Sequence, residues 1–390
     1  MNSEQKINNN LTHNVIIKRV LGAVKGAKKS PTIIFFGGIH GNEFAGISGL
    51  QKVLNEIRKE QIPLQGNMYA ISGNTIALKE NKRFIDVDLN RIWTKEQLFN
   101  EASELHSEHV ERASLFEVII DITSKDSGPF YFIDLHTTSS ETTPFITISD
   151  SLNNRKFSKT FSVPTILGIE EFLEGPLLTF INEYGHVALG FEAGQHYKES
   201  SIDNCVAFIW LAMVACGCVK KNDVRKHSFY QHYLSMFKTD QEFFEINYRY
   251  KIDPDEHFSM LQEFKNFAWV ETTKPLALSN GNQVYSPLNG QIFMPLYQQQ
   301  GDDGFFIISK ISKFWLNLST TVRKLKLHNL LRLMPGISQD KGNKHILIVN
   351  PQTARFMATE LFHLFGYRKK VRKNNKLFFI KRDREITSFN

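Results

Sequence analysis

The stretch Thr32-Ile33-Ile34-Phe35-Phe36-Gly37-Gly38-Ile39-His40-Gly41-Asn42-Glu43 decides how this chain is read. Its first residues form an apolar, β-branched run with no polar alternation, the pattern of a strand buried on both faces of a sheet. A helical pattern over residues 46–59 follows, and between the two lies a glycine-rich turn that carries a histidine and a glutamate three positions apart. In open α/β sheets, sites form outside the carboxyl ends of the strands, which is where this turn falls. The spacing is not that of a GxGxxG phosphate loop and no P-loop lysine follows. His40 and Glu43 are therefore candidate ligands of one metal ion.

Working outward, residues 67–71, 130–135, 145–148 and 186–191 read as further strands, and 95–124 and 201–219 as helices. Alternation of the two predicts an α/β domain with a largely parallel or mixed sheet over residues 1–222. Gly, Pro, Asn and Gln then cluster with short apolar runs over 269–309, which predicts a smaller β-rich domain flanking the site within 223–320. Residues 321–390 mix a helical pattern over 353–365 with a strand-like 377–380 and form a basic C-terminal α+β extension.

The 390 residues are 42% hydrophobic, enough for a sizeable core, which excludes a disordered or fibrous chain. The formal charge of +7 invites a polyanion-binding reading. Its distribution argues otherwise. Residues 321–390 hold 16 Lys/Arg and 4 Asp/Glu, so the preceding 320 residues keep 31 basic and 36 acidic side chains. The basicity belongs to the extension, whose apolar pattern predicts a folded addition with a solvated charged face and not a nucleic-acid arm. Cys205, Cys216 and Cys218 are odd in number and clustered in an apolar stretch, which predicts reduced thiols on a core helix. Residues 1–10 are polar, and the longest apolar run, 206–219, falls short of the roughly 20 residues a spanning helix needs. A cytoplasmic protein without a membrane partner is expected.

A third ligand is offered by Asp134-Leu135-His136-Thr137 at the end of another strand. His40, Glu43 and His136 make the two-His, one-Glu set of catalytic zinc sites; the HExxH and HxxEH signatures are absent, so the third ligand is a distant one. Cobalt or manganese would suit the same donors. Such a site needs a base and a cation for a developing oxyanion. Glu192, in Gly190-Phe191-Glu192-Ala193-Gly194, ends a further strand and is the candidate base. Arg83 opens Arg83-Phe84-Ile85-Asp86-Val87-Asp88-Leu89-Asn90-Arg91, in which Asn90 and Arg91 offer donors to a carboxylate and Asp88 can orient an arginine. His106 and His109, among Glu101, Glu104, Glu108 and Glu111, read as a solvated helix face. His186 reads either as a pocket residue or as a core histidine.

The succession GGxHGNE, RxxDxDLNR, DLHT and a strand-terminal GxE resembles the succinylglutamate desuccinylase and aspartoacylase family of zinc carboxypeptidase-like enzymes, over roughly residues 15–310. The resemblance implies a carboxypeptidase-like α/β/α domain with a mixed sheet and a β domain restricting access. It implies one Zn2+ per chain held by His40, Glu43 and His136, with Glu192 activating water, Arg83 polarising the carbonyl, and Asn90 with Arg91 binding a substrate carboxylate. The activity implied is hydrolysis of the amide of an N-acyl amino acid or similar small substrate. Trimming of short peptides by a metallocarboxypeptidase, or a non-catalytic binding protein that uses the basic tail, are the alternatives. Aspartoacylases carry a further arginine shortly before the base; residues 179–186 hold none, which points away from N-acetylaspartate. Tyr285 and Tyr297 lie in the region of the family's β-domain tyrosine.

Overall fold

The computed structural model of the chain describes residues 17–99, 106–237, 242–261, 264–353, 359–373 and 375–389. The polar segment 1–10 and parts of the expected helices at 95–124 and 353–365 lie outside the described residues.

The strands of the first half are β1 (Val20–Val24), β2 (Thr32–Gly37), β3 (Asn67–Ser72), β4 (Phe130–Thr138), β5 (Phe145–Ile148), β6 (Thr165–Leu167) and β7 (Val187–Gln195). Those of the β-rich part are β8 (Phe243–Lys251), β9 (Phe258–Met260), β10 (Trp269–Val270), β11 (Pro275–Ser279), β12 (Asn282–Tyr285), β13 (Gly290–Phe293) and β14 (Asp303–Ile311). One mixed sheet runs β1-β3-β2-β4-β7-β5-β6-β8-β14-β13-β10, and β9, β11 and β12 form a separate small sheet. The β-rich part thus continues the large sheet through β6 and β8, which pair in parallel. Strands β3, β2, β4 and β7 are mutually parallel at its centre.

Burial of β2 on both faces has a direct cause. Ile33 and Phe35 pack into one core with the helices Phe44–Glu60 and Glu199–Ala215. Ile34 and Phe36 pack into the opposite core with the helices Ser107–Lys125 and Leu177–Glu183. All four side chains are fully buried, worth about 1.5–3 kcal/mol each. The single helix expected over 95–124 is instead two, Lys95–Phe99 and Ser107–Lys125, because His106 adopts an extended backbone as the N-cap of the second. No described helix is long and apolar enough to cross a membrane. The three cysteines are free, and only Cys205 lies on the helix expected to hold them all; Cys216 caps its end and Cys218 follows it.

The extension folds as expected into α+β structure. Strands β15 (Ile337–Gln339), β16 (Ile346–Val349), β17 (Tyr367–Lys373) and β18 (Lys376–Lys381) form a sheet of order β15-β16-β18-β17. Its charge is not simply a solvated face, however. Buried Asp150, directly after β5, accepts hydrogen bonds from Arg155, from Arg323 Nη1 at 3.3 Å and from Arg368 Nε at 2.8 Å. Arg368 also reaches Glu171 at 2.8 Å, and Arg323 reaches Asp383 at 2.8 and 2.9 Å. Arg323 and Arg368 are buried because carboxylates of the α/β domain, stranded at the seam, require counter-charge. Phe389 closes the second core, packing against Phe132, Phe180, Tyr184 and His186.

Candidate metal centre and active site

Three neighbouring strands bring the expected residues together. The turn after β2 carries His40 and Glu43, β4 carries His136 near its carboxyl end, and β7 carries Glu192 directly opposite His136 in the parallel register. The turn is tight for a steric reason. A Cβ on Gly41 would lie 2.1–2.4 Å from the backbone of Ala77 and Leu78, so only glycine lets the turn approach the following segment.

The two imidazoles face the Glu43 carboxylate with the same nitrogen. His40 Nδ1 lies 2.8 Å from Glu43 Oε1 and His136 Nδ1 lies 2.9 Å from Glu43 Oε2. All three residues are buried, and each offers a ligand atom within 4.8 Å of the others. The outer nitrogens are engaged as well: His40 Nε2 is 3.2 Å from Asp88 Oδ1 and His136 Nε2 is 2.6 Å from Asp134 Oδ2. Carboxylates on the far nitrogen fix the tautomer and raise the basicity of the near one, as expected around a metal-binding histidine. Two imidazole nitrogens plus one carboxylate, with the remaining side open to a cavity, fit a divalent cation of the zinc type, which would take the place of the Nδ1 protons that face Glu43 here. Burial acts to raise the Glu43 carboxyl, but His40 and His136 outweigh it and hold it well below the usual range.

Glu192 is 6% exposed, and its Oε2 has no hydrogen-bond partner among the described residues. Burial pushes its carboxyl up to about 8, against an opposing pull from His136. Arg83 Nη2 donates to Asp88 Oδ2 at 3.0 Å while Nη1 lies 3.8 Å from Glu43 Oε1, so Asp88 orients this arginine and His40 together. Asn90 accepts from the Leu177 N–H at 2.9 Å. Arg91 does not stand open: its Nη2 donates to Asp303 Oδ2 at 2.7 Å, and Arg249 shares that aspartate. His40, Glu43, His136, Glu192, Arg83, Asn90 and Arg91 line one cavity of about 120 Å3. Its remaining wall is largely apolar, including Ile148, Ile169, Leu173, Leu178 and Phe306, with Thr179 on the segment that lacks an arginine.

Several contributors escaped the sequence. His196 lines the cavity, its Nδ1 2.7 Å from Thr137 Oγ1 and its Nε2 3.2 Å from Gln298 Oε1. Gln300 of the β-rich part clasps the Arg83 loop, accepting from Arg83 N–H and donating to Phe84 C=O, both at 3.1 Å. An unpatterned run of glutamines gives no signal of this. Glu108 and Glu111 overturn the solvated-face reading of their helix, because both are buried. Glu108 accepts from Asn74 Nδ2 and from the backbone N–H groups of Ile85, Asp86 and Val87 at 2.7–3.2 Å. Tyr285 and Tyr297 do not line the cavity. His186 sits at the opposite end of β7 among aromatic rings, a core histidine.

Residues 29–204 match the sequence model of the Succinylglutamate desuccinylase/Aspartoacylase catalytic domain. A succinylglutamate desuccinylase of Shewanella pealeana is 26% identical over 278 residues, covering 66% of this chain and 76% of the relative. One from Pseudomonas putida is 33% identical over 107 residues, 27% of this chain and 30% of the relative. An N-acyl-aromatic-L-amino acid amidohydrolase (carboxylate-forming) of Xenopus laevis is 34% identical over 111 residues, 28% of this chain and 34% of the relative. The chain thus spans about a third of the length of the latter two relatives. The crystal structure of succinylglutamate desuccinylase from Vibrio parahaemolyticus superposes with a TM-score of 0.57 at 14% identity, covering 77% of this chain and 95% of that one, and so shares the fold. With the motifs in order and His40 and Glu43 on the turn after β2, residues 29–204 thus resemble the succinylglutamate desuccinylase/aspartoacylase catalytic domain in sequence, and the chain shares the fold of the solved desuccinylase.

Proposed function

We propose that this chain is a zinc-dependent amidohydrolase that cleaves the amide bond of an N-acyl amino acid or a similar small molecule. The observation that carries the reading is the convergence of His40, Glu43 and His136 on one point, with Glu192 beside His136 in register. His40, Glu43 and His136 would hold the ion, which when bound polarises the scissile carbonyl and makes water more acidic. Glu192 takes the proton of the attacking water and returns it to the departing amine; its buried, unpartnered Oε2 suits a group that must change protonation state. Arg83, held by Asp88, directs its guanidinium charge to the carbonyl oxygen as negative charge develops. Asn90 and Arg91 receive a substrate carboxylate, for which Arg91 must exchange its bond to Asp303. The apolar wall and the absence of an arginine near Thr179 favour an apolar group over a short dicarboxylic acyl group.

The test is a panel of N-acyl amino acids and dipeptides offered to the zinc-loaded protein, with Glu192→Gln as its partner. The variant should keep about one zinc per chain and lose at least a hundredfold in kcat. Full activity of Glu192→Gln would sink the assignment of the base, and turnover of dipeptides alone would move the reading to peptide trimming.

A further inference from the structure

We propose that the seam between the basic extension and the α/β domain contains a binding site for a phosphate group, separate from the catalytic centre. A cavity of about 220 Å3 lies there, far above the roughly 10–15 Å3 that one water requires. It shares no lining residue with the catalytic cavity. Arg323, Lys326, Lys381, Arg382 and Arg384 line it, against a single carboxylate, Asp383.

Arg323 is committed to Asp383 and Asp150. The other four make no hydrogen bond to a carboxylate among the described residues. Lys381 Nζ instead donates to His328 Nε2 at 2.8 Å, and Arg384 Nη1 to the Glu183 carbonyl at 3.2 Å. Arg382 is 4% exposed, its Nε and Nη2 have no hydrogen-bond partner among the described residues, and its one carboxylate neighbour, Glu170, forms a longer ion pair at 3.6 Å. His328 is buried as well, its Nδ1 without a hydrogen-bond partner among the described residues. An imidazole that accepts from an ammonium must be neutral, so it adds no compensating charge. Burial, aided by Lys381 and Arg332, pushes its pKa down to about 4, in keeping with that state.

Two buried arginines and three cations at the rim outnumber the carboxylates that reach them, an excess of positive charge that an anion in the cavity would complete. Guanidinium groups with a fork of donors and ammonium groups acting as point charges are the pair that phosphate recognition uses. The cavity also abuts function: Ser151 lines it and Ser149 lines the catalytic cavity, with Asp150, which anchors the extension, between them.

Calorimetric titration of the full, zinc-loaded chain with inorganic phosphate, against chloride at matched ionic strength, tests the proposal. A second arm uses glycerol phosphate, and tighter binding of one or the other tells free phosphate from a phosphate monoester. Phosphate of one kind should bind at one equivalent per chain, at least tenfold more tightly than chloride. The rim variant Lys326→Gln with Arg384→Gln, which leaves the Asp150 network intact, should weaken it at least tenfold. Binding no tighter than chloride, or phosphate binding unchanged by the rim variant, as for an anion captured at the zinc, would overturn the proposal.

Discussion

Replacing Glu108 by glutamine tests whether a carboxylate far from the chemistry sets the catalytic geometry. Glu108 is fully buried, and its two oxygens take four N–H donors, three of them from the backbone of residues 85–87. The loop answers in kind, Asp86 Oδ2 accepting from the Ser107 N–H at 2.7 Å at the start of the Glu108 helix. An amide keeps one acceptor oxygen and turns an N–H2 group toward the other pair of donors. Two charge-assisted bonds at about 1.5–3 kcal/mol each are lost, partly offset because a buried charge goes with them, which leaves a cost of about 3 kcal/mol. The loop so loosened carries Arg83 and Asp88, and Asp88 also steadies His40. A displacement near 1 Å at such groups costs about a hundredfold in rate. Urea unfolding of the zinc-loaded protein gives the stability term, and kcat and KM on the best substrate of the panel give the other. A Glu108→Gln protein within about 1 kcal/mol of the parent in stability, with kcat/KM unchanged, would refute the argument.

Asp303→Asn should weaken the hold on Arg91 and lower KM several-fold for substrates bearing a free carboxylate, while leaving substrates without one unaffected; a KM that rises for both classes would count against Arg91 as the carboxylate receptor. Stability should also respond to pH through His186, which burial holds down to about 4. The unfolded chain takes up that proton near pH 6.5 and the folded chain only near 4, so the contribution is full above 6.5 and is lost as pH falls through that window, up to about 3 kcal/mol. His186→Phe should flatten the corresponding part of the profile in urea unfolding between pH 7.5 and 4.5, and an unaltered slope would show that the proton is taken up elsewhere.

The elements most legible in the sequence were those whose burial is dictated locally. Residues 32–36 announce a doubly covered strand because no polar residue interrupts them after Thr32, and β5 at Phe145–Ile148 is legible from its apolar and β-branched residues. The turn that carries His40 and Glu43 is readable because glycine, histidine and glutamate have few other reasons to adjoin a strand end. What was not legible depends on partners distant in sequence. β1 at Val20–Val24 is half-exposed, contains Gly22 and exists through antiparallel pairing with β3. Glu108 looks like any helix-surface glutamate until the 85–87 loop folds over it, and Arg323 and Arg368 look like solvated basic residues until Asp150 is opposite them. The pairing of Arg91 with Asp303 joins positions 212 apart, beyond the reach of any local pattern.

Phe389 ties the two halves of the molecule into a single cooperative unit. Its ring is stacked on that of Phe180, 209 positions earlier, inside the core that backs β2 and β4. Contacts of such sequence separation close late, since the entropy of a very long loop is lost before they reward it. The helical layer behind β2 and β4 is therefore completed only when the extension docks, and a fragment cut at the start of the extension would present that layer to solvent with a ring-sized gap. The appendage is in this sense a keystone of the α/β domain, and the packing behind the strands that position His40, Glu43 and His136 is completed in part from the far end of the fold.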